Sequence, residues 1–229
     1  MWLRPRSWIA PQWIDLYDRW NFEYRSFKGR LFAKKIYSFP GHSYLQLGCG
    51  SVHFPGFLNT DCFLNPQVDL SIDARFPLPL ESDKWQGIYT HHFLEHLTQA
   101  EALNLFKEAR RILSPGGIFR IVVPDAGKIL DLYARHTSDA DRQIFELYPP
   151  WHRNPEHKTA MEVVNHLFRD TKFNPHHFAW DFTTLELRLR EAGFSRVKRM
   201  QVNQSDDPML ANKDTADWEN HSLYVEAVK

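Results

Sequence analysis

The sequence predicts an α/β protein with a Rossmann-like, seven-stranded and mostly parallel sheet that helices cover on both faces. Seven short β-prone runs follow residue 43, and helical patterns separate several of them. Strands that alternate with helices form crossover units, which make neighbouring strands parallel. The β-prone runs are Tyr44–Leu47, Phe57–Thr60, Val68–Ile72, Gly87–Thr90, Gly117–Val123, Arg196–Val202 and His221–Val228.

Helical patterns supply the crossovers, and they cover residues 98–113, 126–136 and 183–192. The first ends at the sequence Ser-Pro-Gly-Gly over 114–117, a combination that is typical of helix ends. The last begins at Asp181 or Thr183, either of which can cap a helix, and it ends at Gly193. With 229 residues, the chain suits one domain with an appendage.

Two segments break the alternating pattern. We therefore predict a domain over 41–229 with an insertion at about 137–181, preceded by a helical extension over 1–40. The insertion is rich in histidine and carries four prolines and two tryptophans. It is too long for a plain linker, so we predict an inserted helical or loop segment over the active face.

The extension over 1–40 is basic and aromatic, with eight basic and three acidic residues. Apolar residues recur at helical spacing and predict a stripe along one helix face. The stripe consists of Trp13, Leu16, Tyr17, Trp20, Tyr24, Phe27 and Leu31. Three interpretations stay open: a helix docked on the domain, a cap over a substrate cleft, or peripheral contact with a membrane surface or a partner.

The overall composition excludes several classes of protein. Lysine plus arginine and aspartate plus glutamate both number 28, so the net charge is zero and a dedicated nucleic-acid binder is not expected. Two cysteines make no disulfide scaffold and suit a reducing compartment. The chain has no secretory signal pattern and no apolar run of about 18 residues. We therefore expect a soluble cytoplasmic protein.

A glycine loop and two acids follow three successive strands. Gly48 and Gly50 come directly after the first strand, Asp61 ends the second and Asp73 ends the third. Parallel α/β sheets bind ligands beyond the carboxyl ends of their strands. Asp61 could accept both hydroxyls of a ribose, and Asp73 could accept from an exocyclic amine such as that of adenine. Taken singly, each acid is equally suited to a turn or a cap.

Five sequence motifs resemble those of class I S-adenosyl-L-methionine-dependent methyltransferases. They are LQLGCG at 45–50, NTD at 59–61, SIDARFPLPL at 71–80, GIYTHHFLEHL at 87–97 and RILSPGGIFRIVVPD at 111–125. The resemblance implies a seven-stranded sheet whose last strand pair is antiparallel. The segments at 176–181 and 222–227 are similar to those of a bacterial, type 11-like branch associated with polysaccharide and small-molecule modification.

What the resemblance implies can be assigned residue by residue. The methionine part and the ribose of the cofactor would be held by Gln46, Gly48 and Gly50. The ribose hydroxyls would be bound by Asp61, the adenine edge by Asp73 and Ala74, and the sulfonium end would lie near His91 and His92. The acceptor would be a small molecule or a glycan, modified on a hydroxyl.

The sequence departs from the family pattern at two places. An acid is common at the position of Gln46, and a third glycine is common at the position of His53. The stretch between Gly50 and Asp61 is short for a full crossover helix. A nicotinamide-binding Rossmann protein is the competing interpretation, but its fingerprint also requires that third glycine. A second alternative is a non-catalytic, methyltransferase-like binding or scaffold subunit.

Methyl transfer to a hydroxyl requires a proton acceptor, and histidine suits this task because its ordinary pKa lies near 6.5. We predict His176 as the first candidate base, oriented by Asp181 or another carboxylate, and His92 as the second. A structural role is the alternative for each.

Metal binding is not predicted from spacing. His92 and His96 are four residues apart with Glu95 between them, but the zinc-protease pattern places its glutamate directly after the first histidine. The four histidines of the later segment, at positions 152, 157, 166 and 176, also fit no standard zinc spacing. Aromatic residues are expected to line the acceptor pocket, and the candidates are Trp20, Tyr24, Phe27, Trp151, Phe173, Phe178 and Trp180.

Overall fold

The computed structural model describes residues 16–17, 20, 23–24, 27, 39–63, 65–135, 137–148, 153–169, 175–214 and 219–229. The strands are β1 (Tyr44–Leu47), β2 (Phe57–Asp61), β3 (Leu70–Ser71), β4 (Trp85–His91), β5 (Leu113–Pro124), β6 (Arg196–Arg199) and β7 (Ser222–Val228). The helices are α1 (Gln99–Ile112), α2 (Ala126–Ala134), α3 (Ser138–Glu146), α4 (Ala160–Arg169) and α5 (Phe182–Glu191), with a 3₁₀ helix at Leu94–His96.

The seven strands form one sheet in the order β3-β2-β1-β4-β5-β7-β6. The pairs from β3 to β5 are parallel, and β7 is antiparallel to both of its neighbours, β5 and β6. The predicted α/β class with a mostly parallel, seven-stranded sheet is therefore confirmed. The strand order reverses between β1 and β4, which creates a switch point where parallel sheets bind ligands.

Local sequence explains where the helices start. Thr98 and Glu101 form a reciprocal capping box at the start of α1, and Asp181 accepts from the Thr184 N–H at the start of α5. Asp181, rather than Thr183, is thus the residue that opens the last helix. The β3 and β6 strands are shorter than predicted, because only Leu70–Ser71 and Arg196–Arg199 pair with a neighbouring strand.

The predicted insertion contains α3 and α4, which pack with α2 around a small apolar core of their own. Buried residues from all three helices form this core, including Ile129, Ile144, Val163 and Leu167. The main core lies between the sheet and the helices α1 and α5. The helices of the insertion therefore stand beside the carboxyl end of β5, where α2 begins.

A group of charged side chains is buried on the face of the sheet that is opposite to α1 and α5. Arg120 of β5 is fully buried and forms ion pairs with Glu226 of β7 and with Asp214, which lies before β7. The side chains of both acids are also without exposed surface. Its guanidinium also donates to the carbonyl oxygens of Gln201 and Gln204. This centre, called the Arg120 centre below, balances its buried charges with direct partners.

The described residues of the extension over 1–40 are helical between 16 and 27, and their apolar side chains are exposed. Leu16, Tyr17, Trp20, Tyr24 and Phe27 retain 44–61% of their surface. The Glu23 carboxylate pairs with Arg75 of the domain, so this part of the extension contacts the domain through an ion pair. The three interpretations of the extension stay predictions, and Trp13 and Leu31 lie outside the described residues. Within the described part of the chain, no helix is long and apolar enough to cross a membrane.

Candidate functional site

The carboxyl ends of β1, β2 and β3 lie side by side along one edge of the sheet, meaning here the line where the parallel strands end and not an outermost strand. Leu47 pairs with Thr60, and Asp61 pairs with Ser71. The glycine loop after β1, Asp61 at the end of β2 and Asp73, two residues beyond β3, therefore start from adjacent positions. The three sequence features that predicted a nucleoside site thus share one edge, which we call the nucleoside edge.

The two glycines of the loop differ in what surrounds them. Both have left-handed backbone, with φ of +69° at Gly48 and +54° at Gly50. A Cβ on Gly48 would lie 2.5 Å from a ring carbon of Phe93, so the absence of a side chain there serves packing. A Cβ on Gly50 would meet nothing within 4 Å. The Gly50 backbone is therefore the part of the loop that a ligand can approach closely.

Asp61 and Asp73 differ in how their carboxylates are bound. Asp61 accepts from the N–H groups of Gly50, at 2.9 Å, and Phe63, at 3.0 Å. Asp73 is buried, and both of its oxygens are held by the Arg75 guanidinium at 3.0 and 2.9 Å. Arg75 also pairs with Glu23 of the extension at 2.6 Å. The Arg75 backbone N–H also donates to Asp73, at 3.1 Å, so Arg75 uses three of the about four lone-pair sites of this carboxylate.

Gln46 and Ala74, the other residues assigned to the cofactor, are both buried, at 3% and 7% exposure. The Gln46 side-chain oxygen is buried and accepts no hydrogen bond from any described residue. An unsatisfied buried acceptor costs about 1–3 kcal/mol, which a donor on a ligand would remove. Gln46 thus offers an acceptor at the position where the family commonly has an acid.

The two thiols near this edge are not activated as nucleophiles. Burial, reinforced by the Asp61 charge, raises the pKa of Cys49 to about 11. The same two causes raise the pKa of Cys62 further. Since the thiolate is the reactive form of cysteine, both side chains are unreactive at neutral pH.

No helix connects β1 to β2, which agrees with the short spacing between Gly50 and Asp61. The connection is a series of turns, and His53 in this loop is exposed. Rossmann domains place the pyrophosphate of a dinucleotide at the N-terminus of the helix that follows the first strand. The loop after β1 lacks that helix, so the nicotinamide-binding interpretation has no phosphate site at this position.

Histidines converge at the carboxyl end of β4 and the amino end of β7, beside the nucleoside edge. The His91 and His92 rings stack with centroids 4.6 Å apart, and the His92 ring lies 5.4 Å from that of His221. The Tyr148 ring of the insertion packs at a tilt against His221, with centroids 4.4 Å apart, and it also contacts His166. These residues, with Glu95, His96 and His176, form what we call the histidine cluster.

His92 has a strained backbone and two polar neighbours. Its φ is +49°, a region that non-glycine residues adopt at a cost. Its Nε2 lies 2.8 Å from the Ser222 hydroxyl, and its Nδ1 lies 3.7 Å from Glu95 Oε1. Burial, together with neighbouring histidines, lowers the pKa of His92 well below 6.5, and burial lowers the pKa of His91 to about 4. Both imidazoles are therefore neutral at neutral pH.

Glu95, His96 and His176 lie together, although 80 residues separate the last two in sequence. One ligand atom from each of the three lies within 4.8 Å of the others. Burial raises the pKa of Glu95 to about 8. His176 Nδ1 lies 2.6 Å from the Leu167 carbonyl oxygen, which orients the ring. The predicted orientation by Asp181 is wrong, because the Asp181 carboxylate caps α5 instead.

Sequence reasoning missed the partners that only packing supplies. Glu95, His221 and Ser222 were not among the predicted site residues, and the sequence HHFLEH at 91–96 was the available signal. The predicted acceptor-lining residue Trp180 is a core residue with 1% exposure, packed against Phe106. Trp151 and Phe173, also predicted to line the pocket, lie outside the described residues.

Comparison with known proteins returned no matching family model and no matching curated protein. Solved structures do match. A SAM-dependent methyltransferase of Thermotoga maritima is 15% identical, with a TM-score of 0.48, over 95% of this chain and 96% of that chain. A second, from Mesorhizobium loti, is 18% identical with a TM-score of 0.43, over 82% of this chain and 91% of its own.

A third, from Archaeoglobus fulgidus, is 13% identical with a TM-score of 0.44, over 91% of this chain and 94% of its own. At these values the similarities do not identify a reaction or a substrate. The topology agrees with the fold that the sequence motifs imply, because the sheet has seven strands and its last two, β6 and β7, are antiparallel to each other. The chain has a Rossmann-like α/β fold with a mostly parallel, seven-stranded sheet.

Proposed function

We propose that the protein is an S-adenosyl-L-methionine-dependent methyltransferase that methylates a hydroxyl oxygen of a small-molecule or glycan acceptor. The nucleoside edge carries the proposal, because it gathers the open Gly50 backbone and two carboxylates on neighbouring strand ends. Asp61 would bind the ribose hydroxyls, and Asp73 with Ala74 the adenine edge. Gln46 and Gly48 would hold the methionine part, with His91 and His92 near the sulfonium.

In the proposed reaction, the acceptor oxygen attacks the methyl carbon of the sulfonium in line with the C–S bond. A C–O bond forms, the C–S bond breaks, and the sulfur keeps the electron pair as a neutral thioether. The hydroxyl proton must pass to a base, and positioning with proton removal is what such an enzyme contributes. We place proton removal at the histidine cluster, with His176 as the first candidate and His92 as the second.

The position of His176 supports this order. With Nδ1–H donated to the Leu167 carbonyl, its Nε2 is the ring atom that carries a lone pair. The low pKa of His92 makes it a weak proton acceptor. The neutral net charge of the chain favours an uncharged or small acceptor over a nucleic acid.

Calorimetric titration with S-adenosylhomocysteine, the cofactor product, tests the proposal. Wild-type protein is expected to bind it at one site. Asp61→Asn should weaken binding about tenfold or more, because hydrogen bonds to a charged acceptor contribute about 1.5–3 kcal/mol. The matched control is Asp83→Asn. It makes the same change just before the amino end of β4, away from the nucleoside edge, where the Asp83 carboxylate pairs with Lys229.

Binding that is absent in the wild type would contradict the cofactor assignment and favour the non-catalytic scaffold. Equal affinity in Asp61→Asn and Asp83→Asn would place the ligand elsewhere. Turnover is then measured with candidate hydroxylated acceptors. His176→Ala should abolish turnover while leaving product affinity within about twofold, because His176 is assigned to the acceptor; full activity in that variant would remove the assignment.

A further inference from the structure

Three side chains of the histidine cluster have the chemistry of metal ligands. Glu95, His96 and His176 each offer an atom, and these atoms all lie within 4.8 Å of one another. In a tetrahedral zinc site, bonds of about 2.0–2.2 Å place ligand atoms about 3.4 Å apart. Side-chain rotations that shorten the present separations by at most about 1.5 Å would therefore reach bonding distances.

Glu95 is buried, and none of the described lysine or arginine residues pairs with it. The residue is 2% exposed, and its Oε2 accepts no hydrogen bond from any described residue. Its ion-pair contact is His92 Nδ1 at 3.7 Å, and no lysine or arginine among the described residues pairs with it. In the Arg120 centre, by contrast, both buried carboxylates have a guanidinium partner. Carboxyl groups are stable in buried positions when they are protonated, paired or bound to a metal ion. Among the described residues, Glu95 has no lysine or arginine partner that an incoming ion would have to displace.

His176 is held in the manner of a metal ligand. Metal-binding histidines usually donate one ring N–H to a carbonyl or carboxylate, which fixes the tautomer and orients the other nitrogen. The Nδ1 of His176 lies 2.6 Å from the Leu167 carbonyl oxygen of α4. Its Nε2 is then the nitrogen that carries the lone pair. The His96 and His176 rings meet edge to face, with centroids 4.9 Å apart.

The backbone ties the two parts of this site together. The N–H groups of His177 and Phe178 both donate to the Glu95 carbonyl oxygen, at 2.7 and 3.2 Å. The segment that carries His176 is thereby anchored on the 3₁₀ helix that carries Glu95 and His96. A site whose ligands are pre-positioned by main-chain hydrogen bonds loses little conformational entropy on binding.

We propose that Glu95, His96 and His176 form a binding site for a divalent transition-metal ion, with Zn²⁺ as the best match. Two imidazoles and one carboxylate are a known zinc ligand set that leaves a coordination position open. Mg²⁺ and Ca²⁺ prefer oxygen ligands, so they should bind more weakly. The sequence predicted no metal because these ligands match no linear spacing.

The site has a consequence that, unlike the binding itself, rests on the proposed function. The His176 lone pair cannot hold an ion and accept a proton at the same time. In the metal-bound protein, the open coordination position would take the acceptor hydroxyl and lower its pKa, so that solvent or a nearby base receives the proton. Chelation would then lower turnover to the level that His176 supports as a base, without changing the affinity for S-adenosylhomocysteine.

Metal binding is tested on full-length protein that has been treated with chelator and dialysed. Titration with Zn²⁺ is followed by calorimetry, and titration with Co²⁺ by its visible absorption, which intensifies in tetrahedral N/O sites. We expect one ion per chain, with Mg²⁺ at least about 100-fold weaker. Glu95→Gln and His176→Ala should each weaken Zn²⁺ binding at least about 100-fold, since even outer partners of metal ligands contribute about 10–100-fold.

His177→Gln is the matched control, because His177 is exposed and adjacent to His176 but is not one of the proposed ligands. It should bind Zn²⁺ as tightly as the wild type. Circular dichroism checks that each variant is folded. Because His176 is only partly buried, His176→Ala tests Zn²⁺ binding even if the replacement of buried Glu95 disturbs the fold. Failure of the wild type to bind, or equal binding by all variants, would overturn the site. Binding of S-adenosylhomocysteine is measured in a separate titration. Failure of the metal site can therefore be distinguished from failure of the methyltransferase proposal.

Discussion

Two buried groups of titratable residues in the described part of the chain differ in how their carboxyl groups are partnered. In the Arg120 centre, the guanidinium pairs with Asp214 and Glu226, and the side chains of all three residues are fully buried. In the histidine cluster, Glu95 is equally buried, but imidazoles surround it and one oxygen has no hydrogen-bond donor among the described residues. A centre whose charges are paired directly serves the fold, whereas a buried carboxyl group with no lysine or arginine partner among the described residues is available to a ligand.

The surroundings of the two groups agree with this division. The Arg120 centre also uses backbone carbonyl oxygens and the Tyr89 hydroxyl, so its polar atoms are bound within the protein. The histidine cluster adjoins the nucleoside edge and includes the strained backbone of His92. Strain of this kind is retained where a site requires it.

The largest effect is expected from breaking the Arg120 centre. Arg120→Met should lower the free energy of unfolding by about 3–5 kcal/mol, because it leaves two buried carboxylates without their cation. Urea denaturation measures the loss. The control Arg196→Met removes an exposed arginine that pairs with Asp206, and it should change stability by less than about 1 kcal/mol. Equal effects from the two variants would contradict a structural role for the centre.

Binding of Zn²⁺ to the histidine cluster should stabilise the folded protein. At a Zn²⁺ concentration 100 times its dissociation constant, the wild type should gain about 2.7 kcal/mol in the free energy of unfolding, since the ion binds the native state. Urea denaturation with and without Zn²⁺ measures the gain. Glu95→Gln should gain almost nothing at the same concentration. A similar gain in both proteins would show that Zn²⁺ binds outside the cluster.

A smaller loss is expected when one hydrogen bond to the Arg120 centre is removed. The Tyr89 hydroxyl lies 3.1 Å from Asp214 Oδ1 and donates to it. Tyr89→Phe should cost about 1 kcal/mol, because the guanidinium of Arg120 still neutralises the carboxylate. Chemical denaturation resolves this difference. A loss as large as that of Arg120→Met would mean that the hydroxyl, and not the guanidinium, is the main partner of Asp214.

The smallest change is expected for Glu95→Gln in the presence of chelator. The free energy of unfolding should stay within about 1 kcal/mol of the wild type, because the amide keeps the shape and no lysine or arginine partner among the described residues is lost. This variant is the counterpart of Arg120→Met. A loss of several kcal/mol would reveal a structural partner for the Glu95 carboxylate. It would contradict the inference that, unlike the Arg120 centre, Glu95 does not stabilise the fold.

Much of the nucleoside edge was predictable because its parts are short and local. Tyr44–Leu47 was predicted with the bounds that the structure has, and Asp61 ends β2 as expected. The histidine cluster was not predictable in the same way. His176 was chosen for its place in a motif, yet its orienting partner is the Leu167 carbonyl of the insertion rather than Asp181.

The sequence by itself determined the class of fold and the edge of the sheet that carries the glycine loop and the two acids. The hydrophobic period, the helix caps and the turn residues are local properties, so they can be recognised in the amino-acid sequence. Only the tertiary structure decided which side chains meet across long separations, 94 residues for Arg120 and Asp214 and 80 for His96 and His176. Such meetings depend on how the insertion and the C-terminal strands pack, and packing is set by the whole core rather than by any segment.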